Sequence, residues 1–230
     1  MSLYFWIMLA TIAGPFFLSF DKKIHFYTYW KALFPAIILI AIPFIFWDEI
    51  FTRWGLWGFN PEHLNGFYIG HLPIEEICFF FFVPYACVFV YEVLVGYFDL
   101  SKTKKAGHLF AVFFTLMMMV LGLIYLDQLY TSVACFMAAT LTIGIYFVKR
   151  VSWYSNFIIT FLVVQIPFLI VNGILTGMVT DEPIVWYNTL EISNLRLGTI
   201  PIEDIFYNYS MLLLIFLVYN GLKNKRVAKA

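Results

Sequence analysis

LPIEEICFFF (residues 72–81) and IPIEDIFYNY (residues 200–209) are two copies of one pattern: a proline, an isoleucine and two adjacent acids opening a long apolar run. Proline suits the first position of a helix, where its missing N–H costs no hydrogen bond. The acids then fall in the first turn, where free backbone amides and the positive helix end favour carboxylates. The plainest reading is that Glu75, Glu76, Glu203 and Asp204 cap two helices. Two copies, each two acids deep and each entering an apolar segment, point further. Ionisable side chains at membrane depth are costly and mark functional sites.

The similarity extends outward from the motifs. IPFIFWDEIF (42–51) precedes the first copy and IPFLIVNGIL (166–175) precedes the second, and the basic pairs Lys22–Lys23 and Lys149–Arg150 precede both. The apolar runs around these landmarks are long enough for membrane helices, which need about 20 residues. Seven are expected: 2–20, 30–48, 74–97, 108–126, 129–148, 153–176 and 202–222. The predicted fold is therefore all-α, with seven transmembrane helices and a parallel 3+1+3 internal repeat. Residues 1–105 form the first three-helix unit, 106–128 the linking helix and 129–230 the second unit. An offset of four spans preserves direction, so both motifs are expected at the same membrane face.

Composition agrees. Hydrophobic residues make up 63% of the 230 positions and charged residues 12%, about half the charge of a soluble domain. Basic and acidic residues number 14 each, and no dense basic patch exists, which argues against a nucleic-acid partner. Of the 14 basic residues, 12 fall on alternate connections and the tail, with only Arg53 and Arg196 on the other side. The positive-inside rule then puts the C-terminus in the cytoplasm and the N-terminus outside, with the motifs toward the outer face. Cys78, Cys87 and Cys135 sit in apolar runs without metal-ligand spacing and read as small hydrophobes. No metal site is expected.

Successive helix positions point about 100° apart, so one acid of each pair faces a central cavity squarely. Glu75 and Glu203 are the expected ones, being identical in the two copies, with Glu76 and Asp204 orienting them or holding their protons. Paired carboxylates can share a proton, which keeps an acid available near neutrality. Phe79, Phe80, Phe81 and Tyr85 after the first motif, with Phe206, Tyr207 and Tyr209 after the second, are candidate rings around a bound apolar substrate. Glu92 lies toward the other membrane face, where Lys102 to Lys105 are candidate partners. Asn65, His71, Asn172, Asn188 and Arg196 lie near the motif face and can either bond the acids or serve the loops.

The doubled motif on this span plan resembles the small integral-membrane lycopene cyclases of bacteria and archaea, in the form that fuses two short subunits into one chain. Residues 1 to about 100 resemble one subunit and about 129 to 222 the other. The resemblance implies closure of the acyclic end of lycopene into a β-ionone ring, with Glu75, Glu76, Glu203 and Asp204 as the catalytic positions. It also implies a lipophilic carotenoid substrate drawn from the bilayer and a location in the inner membrane of a bacterium. Closing such a ring needs a proton delivered, a carbocation closed and a different proton removed, which an acid and a base suffice to do. No cofactor is expected. A 3+1+3 transporter is the alternative reading, although its midplane should be polar and here it is Phe, Leu, Ile and Val. A retinal protein would need a lysine inside the last span, and none precedes Lys223 there. The oligomeric state is left open, a homo-oligomer included.

Overall fold

The computed structural model describes residues 1–227, with side chains through Asn224; Lys229, and the side chains of Lys225 and Arg226, lie outside the described residues. Seven long helices build the molecule: α1 (Leu3–Leu18), α2 (Trp30–Arg53), α3 (Ile74–Tyr97), α4 (Lys104–Ile124), α5 (Leu129–Thr142), α6 (Tyr154–Leu175) and α7 (Ile202–Val227). A six-residue wider turn, Ile143–Val148, continues α5. Among the described residues, six segments are long and apolar enough to cross a membrane; the apolar helix α1 is shorter. Its 16 residues reach about 24 Å, against a hydrocarbon core of about 30 Å. The expected seven full-length spans thus become six, with α1 as a short seventh helix. It ends where the Ser19 hydroxyl turns back to bond the Pro15 carbonyl at 2.6 Å and the Tyr85 hydroxyl at 2.6 Å.

α7 is the hub. Tyr209, Met211, Leu212, Leu213, Ile215, Phe216 and Tyr219 along it are all buried. Helices α2 and α5 pack against it, α1 packs on α3, and α4 lies on α5 and α6. Large apolar side chains point outward along the peripheral helices, among them Phe46, Leu109, Phe113, Leu123, Ile166 and Ile170. In water such a surface would be an aggregation liability; in a bilayer it is the expected lipid-facing belt. Cys87 and Cys135 are buried and Cys78 half-buried.

The fold is not purely helical. The two long connections, 54–73 and 176–201, lie at the end of the bundle that carries the motifs and contain six short strands. β1 (Trp57–Phe59) pairs antiparallel with β4 (Val185–Tyr187), joining the two connections. β2 (Tyr68–Ile69) pairs with β3 (Leu72–Pro73), and β5 (Arg196–Leu197) with β6 (Ile200–Pro201). These last two ladders are hairpins built alike. Each turns through a glycine in the left-handed region, Gly70 at φ +65° and Gly198 at φ +64°, which side chains with a Cβ rarely adopt. Each then feeds directly into a motif helix. Pro73 stands one residue ahead of the helix, in extended backbone, instead of at its first position.

α2 runs to Arg53, five residues past its expected end, so Asp48 lies inside the helix and is buried. At the opposite end of the bundle Glu92 pairs with Lys223 of α7 at 2.6 Å and accepts a hydrogen bond from Tyr219 at 2.6 Å. Lys223 also sits 4.3 Å over the Tyr29 ring. The partners expected from Lys102 to Lys105 are replaced because α7 faces Glu92 directly.

Helix α4 approaches α6 through Gly107, where an added Cβ would lie 2.3 Å from Ser155 Oγ and 2.9 Å from Ser155 Cα. Backbone cannot yield as a flexible side chain does. Gly107→Ala is therefore expected to separate the two helices and cost about 1–3 kcal/mol. An unchanged thermal midpoint of the purified variant in detergent would show that this contact is looser than described.

Candidate active site

The two acids of each motif have different surroundings. Glu75 is buried, and its Oε1 accepts hydrogen bonds from the Ser2 hydroxyl at 2.6 Å and the Asn65 backbone N–H at 2.8 Å. Ser2 in turn caps α1, accepting from the Phe5 N–H, while its own N–H donates to Asn65 Oδ1 at 2.8 Å. Glu203 is bound in the same manner, accepting from the Ser193 N–H at 2.7 Å and from the Thr131 hydroxyl. Both first acids therefore anchor the loop ten residues upstream and the start of a neighbouring helix. The expectation that Glu75 and Glu203 face the central cavity is corrected. The helical rotation turns their successors inward.

Those successors, Glu76 and Asp204, line a cavity of about 60 Å³ together with a third carboxylate, Asp48 of α2. Four tyrosines surround them. Tyr4 donates to Glu76 Oε2 at 2.5 Å and Tyr207 to Asp48 Oδ1 at 2.8 Å. Asp204 accepts three hydrogen bonds, from Tyr130 at 2.8 Å, Asn172 at 2.7 Å and Tyr187 at 2.9 Å. Asp48 and Glu76 are adjacent and interact directly. No lysine, arginine or histidine is on the lining. Burial first, and the Asp204 carboxylate second, push the Tyr187 phenol well above its ordinary value, so it remains a neutral donor. Asn208 also lines the cavity, buried, with neither amide atom hydrogen-bonded.

Of the expected substrate-facing rings, Phe79 and Tyr207 line the cavity. Phe80 is buried beside Phe79, with ring centroids 5.6 Å apart, but is not on the lining. Phe206 packs toward Phe114, away from the acids. Tyr85 lies nine positions beyond Glu76, about 13 Å along α3, and bonds Ser19 and the Trp30 indole N–H. Tyr209 bonds Thr142 and Tyr154, also deeper in the bundle. Phe80, Tyr85 and Phe206 thus lie off the lining of this cavity, because a 3.6-residue period brings only part of a run to one face. Of the flanking polar residues, Asn172 bonds an acid of the cavity, whereas His71 bonds Glu49 at 2.6 Å on the surface.

Asp48, Tyr4, Tyr130, Tyr187 and Asn208 were not among the expected site residues. For Asp48 a signal exists: aligning 42–51 with 166–175 places Asp48 opposite Asn172, a polar residue at the same point of two otherwise apolar runs. The tyrosines reach the cavity from α1, α5 and β4 by tertiary packing alone.

A family model described as Lycopene cyclase matches residues 1–94 and 127–222. The chain belongs to the lycopene cyclase family. Membership makes it a membrane protein of carotenoid biosynthesis with carotenoid cyclase activity. Every residue lining the acid cavity of this lycopene cyclase family member falls within the matched segments. The unmatched residues 95–126 contain α4, which contributes nothing to the lining. A search of curated proteins gives no match, and a search of solved structures gives none either.

Proposed function

We propose that the chain closes the acyclic ends of lycopene into β-ionone rings by proton transfer between carboxyl groups, with no net redox and no cofactor. The observation that carries this reading is the convergence of Asp48, Glu76 and Asp204, from three helices, on one cavity walled by aromatic rings and lined by no cationic side chain. The surroundings of the acids suggest their roles. Asp204 accepts from three neutral donors, an arrangement that stabilises a carboxylate and fits it as the base. Glu76 and Asp48 have one tyrosine each and stand side by side, an arrangement that favours sharing one proton. Glu76 with Asp48 is then the acid. It protonates the terminal double bond, the neighbouring double bond closes the ring, and Asp204 removes a different proton to leave the ring double bond. One proton enters and one leaves, so product and substrate are isomers.

The carbocation between these steps is flanked by Tyr130, Tyr187, Tyr207 and Phe79, rings whose faces attract positive charge. The matching hairpins ahead of α3 and α7 support the parallel repeat. The basic-residue distribution supports a motif end outside and a cytoplasmic tail. The test is expression in a lycopene-accumulating host followed by pigment analysis. A ring-bearing carotenoid of the same mass as lycopene is expected. Unchanged lycopene, with the protein present in the membrane, would overturn the reading.

A further inference from the structure

A second concavity, a groove of about 430 Å³, runs along the bundle between α1, α3 and α6. Ile7, Thr11, Val83, Ala86, Val164 and Ile174 are among its walls. Its only hydroxyl, that of Thr11, is already bonded to the Ile7 carbonyl at 2.9 Å, so the walls offer an occupant no free hydroxyl. Ala10, Pro167 and Ile170 line it and are exposed, so it opens on the surface that the apolar belt assigns to lipid. Phe168 lines both the groove and the acid cavity and so stands between them.

We infer that this groove holds the polyene arm of the substrate while the end group passes Phe168 into the acid cavity, an inference that rests on the cyclase reading. Three features select a thin, apolar, extended ligand. The walls are apolar, and the groove reaches Val90, 14 positions and about 21 Å beyond Glu76 along α3. The groove also leads to groups that only a reacting double bond would use. The acid cavity of about 60 Å³ is smaller than the ~150 Å³ that accommodates a benzene ring. Phe168 must therefore swing aside to admit the end group, which keeps the acids closed until the arm is seated.

The arrangement is one-sided. Placing the two motifs and the two IPF segments in register sets Phe168 opposite Phe44, Val83 opposite Met211 and Cys87 opposite Ile215. Phe44, Met211 and Ile215 are buried, as are Ala138 and Ala139 of α5 beside them. One arm is accepted at a time through one door, so two rings on one molecule require two separate visits.

The test uses the full chain purified in detergent after expression with lycopene. In a Glu76→Gln background, which holds substrate without turning it over, pigment bound per protein is measured with and without Ala86→Phe. Filling the groove with a ring is expected to lower bound lycopene about tenfold or more. In the otherwise unaltered chain, Ala86→Phe is expected to lower ring formation similarly, with an unchanged thermal midpoint. If Ala86→Phe does not accumulate, Thr11→Phe on the α1 wall carries the same expectation. Undiminished pigment binding and ring formation with the groove filled would overturn the proposal. So would a tightly bound membrane lipid that lycopene does not displace from the unaltered chain. If the unaltered chain forms no ring, the cyclase reading fails instead, while loss of bound lycopene on filling would still locate the arm.

Discussion

Glu76→Gln is expected to lower the rate of ring formation by about 10² to 10⁴-fold, the range general acid–base assistance supplies, with the protein still in the membrane. Glutamine matches glutamate in shape and still accepts the Tyr4 hydrogen bond, made at 2.5 Å in the native chain. It has no proton to give to an alkene. Asp48 beside it can retain its own proton but lacks the partner that would receive and aim it. Glu62 is exposed, on a short turn of the first long connection, so Glu62→Gln is expected to leave the rate unchanged. Pigment per unit of membrane-embedded protein is the measurement. Normal turnover in the Glu76→Gln chain would remove Glu76 from the acid role.

Asp204→Asn is expected to cost a comparable 10² to 10⁴-fold but to leave a different chemical trace. The variant can still protonate and close the ring, since Glu76 and Asp48 are untouched. What it loses is the carboxylate that three donors hold in place. The Asn172 amide, 2.7 Å from Asp204 Oδ2, would then face a second amide and one donor too many. With its base gone, the cation must surrender a proton to whatever lies nearest. The small residual product should therefore contain rings with a misplaced double bond, separable by chromatography and absorption spectrum. A residual product of normal rings alone would assign proton removal to another group.

The motif helix α3 covers 74–97, the residues its apolar run predicted, and the four motif acids are all buried or half-buried where two hairpins meet the bundle. The second acid of each pair, and not the first, lines the cavity, for an instructive reason. Glu75 and Glu203, identical residues, have matching surroundings: each takes one hydroxyl and one loop N–H. The differing pair, Glu76 and Asp204, occupies surroundings that also differ, one tyrosine against three donors. Sameness between copies goes with matching hydrogen-bond partners, and difference with differing ones. Asp48 was passed over because α2 was expected to stop there; five further residues of helix turn an apparent rim charge into a cavity wall. Tyr4, Tyr130 and Tyr187 come from elements far apart in the chain, and no local periodicity reports on such meetings.

The ties that complete the cavity cross between the two halves of the chain. Tyr207 reaches Asp48 over 159 positions, β1 pairs with β4, and Glu92 grips Lys223 at the far end. Neither half holds all three carboxylates of the cavity: Asp48 and Glu76 belong to the first, Asp204 to the second. The walled cavity in which the three carboxylates meet exists only once the last helix has docked, so completing the fold and completing the site are one event.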